Sequence, residues 1–88
     1  MAGALTVDVV AQDRTLWSGT ADRVIAPSVE GEIGLLANHE PVLALLRAGT
    51  VRVREGSQTH EFAIEQGFVS FDHNVITIGC TPAESDEG

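Results

Sequence analysis

The sequence predicts an all-β fold, a flattened sandwich or barrel. Apolar and polar residues alternate over short runs, as in Leu5, Val7 and Val9 against Thr6 and Asp8. Turn-forming residues recur every several positions, at Gln12-Asp13, Gly31, Asn38, Gly49, Gly56 and Asp72-His73-Asn74. No segment sustains an apolar stripe at the 3.6-residue helical period.

Each element follows from its own residues. Positions 5–10 alternate and read as a half-buried strand. Thr15-Leu16-Trp17-Ser18 reads as a second strand closed by Gly19, and positions 22–26 as a third ending at Pro27. A short fourth strand spans 33–36, bounded by Gly31 and Asn38. Val42-Leu43-Ala44-Leu45-Leu46 is apolar throughout and fits either a buried strand or a helical turn. It is too short for an independent helix and Gly49 stops it, so a buried strand is expected. Positions 50–54 alternate cleanly, and Glu55-Gly56-Ser57-Gln58 is a hairpin turn. Alternation resumes from Thr59, with Phe62 and Ile64 on one face and Gly67 as its end. Beyond it, Phe68, Ser70 and Asp72 face opposite to Val69 and Phe71, and a last strand runs from Val75 to Gly79.

The 88 residues suffice for one small domain. Its bounds are expected at 5–82, with 83–88 an acidic, frayed tail. Thirteen acidic residues against five basic ones give a formal charge of -8, and all five bases are Arg. Without Lys there is no P-loop lysine and no Schiff base. Phosphate backbones and anionic lipid surfaces are disfavoured partners, and a basic or neutral protein is favoured. The single Cys80 cannot form an internal disulfide, which suits a reducing compartment. The first residues lack a basic segment and do not read as a signal peptide.

No catalytic constellation emerges. His39, His60 and His73 stand in separate contexts, and Pro41 prevents the helical His-Glu-x-x-His arrangement after His39. No serine lies in Gly-x-Ser-x-Gly, and Cys80 follows an apolar strand as an inert thiol would. Glu30 and Glu32 straddle Gly31, where exposure leaves both simply ionised and free to meet a basic partner. Trp17 alternates within its strand as a core residue. Neither a cofactor nor a metal is expected.

The most specific stretch is Glu30-Gly31-Glu32-Ile33-Gly34-Leu35-Leu36, followed by Asn38-His39-Glu40-Pro41. With Leu16-Trp17-Ser18-Gly19 and Arg47-Ala48-Gly49-Thr50-Val51-Arg52 before and after it, and with Gln66-Gly67-Phe68-Val69 and Asn74-Val75-Ile76-Thr77-Ile78, the chain resembles the N-terminal domain of the ε subunits of F-type ATP synthases. The resemblance runs from about Leu5 to Pro82 with order and spacing kept. It implies a β-sandwich of about ten short strands. It also implies a non-enzymatic rotor subunit that binds the γ shaft and rests on the polar loops of the c ring. Such a subunit is peripheral, on the cytoplasmic face of a bacterial inner membrane. By the same resemblance Gly31 and Glu32 face the ring, with Glu30 as a neighbouring acid, and Ala11, His39 and Ala44 face γ.

Two departures bear on this. The family's usual C-terminal helix pair is missing after Gly88, so helix-mediated inhibition and ATP sensing are not expected of this polypeptide. Ala37-Asn38 stands where the family commonly has Pro-Gly, and Asn tolerates the same left-handed turn. A free-standing β-sandwich module for a basic protein or peptide is the alternative function.

Overall fold

Alternation along the chain becomes eight strands in a computed structural model, which describes residues 4–83. They are β1 (Leu5–Val10), β2 (Thr15–Ala21), β3 (Arg23–Ser28), β4 (Gly31–Leu35), β5 (Val42–Leu46), β6 (Gly49–Glu55), β7 (Gln58–Asp72) and β8 (Val75–Pro82). No helix occurs among the described residues. The proposed tail lies, apart from Ala83, outside them.

The hydrogen-bonded path β2-β1-β8-β7-β5 forms one layer, and β7, β6, β3 and β4 form the other. All pairs are antiparallel except β1 with β8. The long β7 belongs to both layers. Its first half pairs with β6, and its second half with β5 and β8. A register shift between Ile64 and Gln66 marks the passage from one to the other. The layers also meet where Ser28 of β3 pairs with Leu46 of β5.

Period-two alternation sends one set of side chains inward from each layer. Leu5, Val7, Val9, Val69, Phe71, Ile76 and Ile78 come from the first layer, and Val24, Leu35, Val51 and Val53 from the second. All are at most 1% exposed, so a single apolar core joins the layers. Trp17 packs at its margin, half-buried, with its ring centroid 4.9 Å from that of His60.

Several expectations change at this level. Eight strands replace about ten, because runs that read as separate are continuous. Gly19 and Gly67 lie inside β2 and β7 instead of ending them. At Gly67 the reason is close approach: a Cβ there would collide with the Gly79 carbonyl and the Cys80 backbone across the β7–β8 pair. The segment 42–46 is a strand, as expected, but only one of its faces is covered. Leu43 and Leu45 are 79% and 66% exposed while Leu46 is buried. Nothing in the described chain packs over that outer face.

Candidate functional site

Four strands align their outward residues in one row at one end of the first layer. Val10 pairs with Gly79, Gly79 with Phe68, and Phe68 with Leu45. Gly79 has no side chain, so the Phe68 ring lies over it, and a Cβ at that position would strike the ring. Beside this row opens a groove of about 610 Å³. Ala11, Val29, Leu45 and Phe68 are among its walls, with Gln12 and Gln66 amides also lining it. None of its lining residues is charged, in a chain of net charge -8. Cys80 also lines it, and burial pushes that thiol above its ordinary pKa. The low thiolate content makes it a weak nucleophile.

The hairpin joining β3 to β4 stands at the same end. The Ser28 hydroxyl donates to the Gly31 carbonyl at 2.6 Å and accepts the Glu30 amide at 3.1 Å. Ser28 is only 3% exposed, so a buried hydroxyl shapes an exposed tip. Gly31 has φ 132°, a conformation that side chains disfavour. Val29, 55% exposed, sits between tip and groove, and its amide donates to the Leu45 carbonyl at 2.9 Å. Glu30 and Glu32 are both exposed. Glu32 meets a cation of its own chain, since Arg52 Nη1 lies 3.8 Å from its carboxylate and Arg52 Nε lies 3.4 Å from Glu61.

His39 is elsewhere. It sits in the turn before β5, at the end where Val42 pairs with Phe71, whereas the groove adjoins the end where Leu46 pairs with Gly67. Its Nδ1–H donates to the Glu40 carbonyl at 2.8 Å, and its ring meets Phe71 edge-on with centroids 5.6 Å apart. Ala44 packs against the core, and its neighbours Leu43 and Leu45 point out. The structure therefore puts Ala11 and Val29, the residue before the Glu30–Gly31 tip, in the walls of one groove, puts His39 at the far end of β5, and turns Ala44 inward. The histidines are dispersed: His60 Nε2 lies 3.1 Å from Glu55, and His73 Nδ1 lies 2.8 Å from Asp72. Sequence reasoning missed Leu43, Leu45, Phe68, Val29 and Ser28. Within 42–46, the alternation of exposure is invisible because every residue is apolar. The opposite placing of Phe68 and Val69 was legible and signalled an outward aromatic.

Residues 4–86 match the family model described as the beta-sandwich domain of the ATP synthase delta/epsilon chain. The chain belongs to that family. Curated relatives include the ATP synthase epsilon chain of Cyanothece sp., 41% identical over 80 residues, or 91% of this chain and 58% of the relative. The chloroplastic ATP synthase epsilon chain of Emiliania huxleyi is 37% identical over 81 residues, 92% of this chain and 62% of the relative. The chain thus spans about three-fifths of the length of these ATP synthase epsilon chains. Among solved structures, a chain of the Euglena gracilis mitochondrial ATP synthase, in an assembly of OSCP, F1 and c ring, superposes with a TM-score of 0.84 and 25% identity. That match covers 96% of this chain and 54% of the other. A chain of the Tetrahymena thermophila mitochondrial ATP synthase central stalk and c ring shares the fold, with a TM-score of 0.75 at 15% identity. The delta/epsilon beta-sandwich is therefore the fold around which the groove and the hairpin are built.

Proposed function

We propose that this chain is a non-catalytic rotor subunit of an ATP synthase, binding the γ shaft through its outer apolar face and resting on the c ring through the β3–β4 hairpin. It would thereby link ion-driven rotation to ATP synthesis. The observation that carries the reading is the uncovered apolar row of Leu45, Phe68 and Val10, extended by Leu43. Exposed leucines on a sheet face stabilise nothing in the isolated chain and mark a protein contact. Family membership supplies the assembly to which such a contact belongs.

The physics divides the labour. One exposed carboxylate–guanidinium contact contributes only ~0.2–1 kcal/mol and cannot hold a torque-bearing joint. Burying the leucine and phenylalanine side chains contributes about 1.5–3 kcal/mol each. In this reading the apolar face supplies the grip on γ, and Gly31 with Glu30 and Glu32 sets register on the polar ring loops. Ala11 belongs to the groove and would join the γ contact. His39, whose ring packs on the inward-facing Phe71 at the other end of β5, lies off that outer face and would meet γ only at the rim of the sandwich. Ala44 would act only indirectly, by seating β5 so that Leu43 and Leu45 project. Such a subunit is peripheral, on the cytoplasmic face of a bacterial inner membrane. No helix of the described residues is long and apolar enough to cross a bilayer.

The alternative, a module for basic peptides, fits the overall charge but not a groove with no charged lining residue. Co-purification with γ tests the two. Leu45→Asp should weaken γ capture at least tenfold, given the transfer cost of a carboxylate into an apolar contact. Capture that is unaltered by Leu45→Asp and Leu43→Asp together would remove the apolar face from the interface. Failure of the native chain to bind γ at micromolar concentration would remove the rotor reading.

A further inference from the structure

Three of the five arginines of this acidic chain stand together on the outer face of the second layer, away from the apolar groove: Arg23 on β3, and Arg52 and Arg54 on β6. Arg23 and Arg54 are direct partners in the antiparallel register. Like charges directly opposite each other on one sheet face repel. A chain with 13 carboxylates has ample means to avoid this and does so at Arg52, which is flanked by Glu61 and Glu32. Among the described residues neither Arg23 nor Arg54 forms an ion pair. Arg54 Nε–H donates to the Gly56 carbonyl at 3.3 Å, and the neighbouring Asp22 directs one carboxylate oxygen to the Gly56 amide at 2.8 Å. The Arg54 bond to Gly56 uses Nε and leaves its terminal nitrogens directed elsewhere, and Asp22 shares a second cleft with Arg23, Arg54 and Leu36 on the far side of the pair.

We propose that Arg23 and Arg54 form an anion site that takes a compact phosphate-type oxyanion. The two arginines, with Arg52, Ile25 and Thr59, line a cleft of about 100 Å³. That is well below the roughly 300–1,000 Å³ of pockets for drug-sized ligands, and it suits one tetrahedral oxyanion. A guanidinium presents a planar fork to such an oxyanion, and two forks from adjacent strands match a doubly charged one. Thr59 pairs with Arg54 and adds a hydroxyl on the same face. The anion converts a repulsive cross-strand pair into a bridged one. The site is independent of the γ-binding and ring-binding reading and does not stand or fall with it.

Thermal unfolding in sodium phosphate against sodium chloride at matched ionic strength tests the site. A phosphate concentration about tenfold above the dissociation constant, itself on the order of 1 mM, should raise the native Tm by about 6–11 °C over chloride. Arg23→Gln should abolish that increment and, in chloride alone, melt about 1–3 °C above the native chain, because it relieves the repulsion. Arg47→Gln changes the net charge equally on another strand connection and should keep the full increment. Equal melting of the native chain in the two salts overturns the proposal, and so does an increment that survives Arg23→Gln. Flotation with phosphatidylcholine vesicles containing phosphatidic acid identifies the source. Retention that inorganic phosphate reverses and Arg23→Gln abolishes assigns a lipid phosphate. No retention, with the thermal increment present, assigns the free ion.

Discussion

Asn38 and Asn74 hold each other across the molecule. The Asn38 amide donates to the Asn74 side-chain oxygen at 2.6 Å, and the Asn74 side-chain amide returns a bond to the Asn38 side-chain oxygen at 3.4 Å. Both residues are left-handed, with φ 68° and 62°. Two turns distant in sequence, one before β5 and one between β7 and β8, are thereby fixed to each other. The Asn74 carbonyl also accepts the Thr6 amide at 2.9 Å, which ties in β1. Asn74→Ala should lower stability by about 1–2 kcal/mol, from a lost hydrogen bond and a strained backbone. Asn74→Gly, free of the backbone strain, should lose less. Urea denaturation compares the two, and equal losses would show that the left-handed geometry costs nothing there.

At Gly67 and Gly79 the same added methyl group meets different neighbours. Gly67→Ala would press on the backbone of Gly79 and Cys80, whereas Gly79→Ala would press on the Phe68 ring. A ring can rotate aside, and a paired backbone cannot without breaking its ladder. Gly67→Ala is expected to cost about 1–3 kcal/mol by overpacking. Gly79→Ala should cost less stability but displace Phe68 and weaken γ binding. Paired denaturation and capture assays check this, and a stable Gly67→Ala chain would refute the close-packing account.

Arg52 competes with any outside cation for Glu32. In the rotor reading, Glu32→Gln weakens attachment to the c ring mainly at low salt, where exposed charges are least screened. Arg52→Gln should strengthen the same attachment by up to about fivefold, since it releases a pair worth ~0.2–1 kcal/mol. Binding to isolated c rings across a salt series measures both. A salt profile unaltered by Glu32→Gln would mean that this carboxylate meets no charged partner.

Cys80 gives a pH dependence with a definite sign. Burial raises the folded thiol above its unfolded pKa, so the protonated form is the one the fold favours. That contribution is fully present below the unfolded pKa and is lost as pH rises through the folded one. Native stability should therefore decline in the alkaline range more in the native chain than in Cys80→Ala. Urea midpoints from neutral to alkaline pH read the difference, and parallel profiles would exclude the thiol as its origin.

The all-β class, most strand positions and the family were legible in the residues alone, because these rest on local alternation and on turn residues. The hairpin at Gly31 and the left-handed turn at Asn38 were legible for the same reason: only a few residue types accept those backbone angles. Other features depended on pairings between distant residues. Whether Gly67 ended a strand was decided by how closely β8 approaches it. Which leucines of 42–46 face outward was decided by which side of β5 the core occupies, since all five residues are apolar. Ala11 and Val29, 18 positions apart in sequence, came to line one groove through the pairing of β1, β8, β7 and β5. Arg23 faced Arg54 only through the β3–β6 register. A strand's face is fixed by its own residues, but its neighbours are fixed by which strands share hydrogen bonds, and only the tertiary structure sets that.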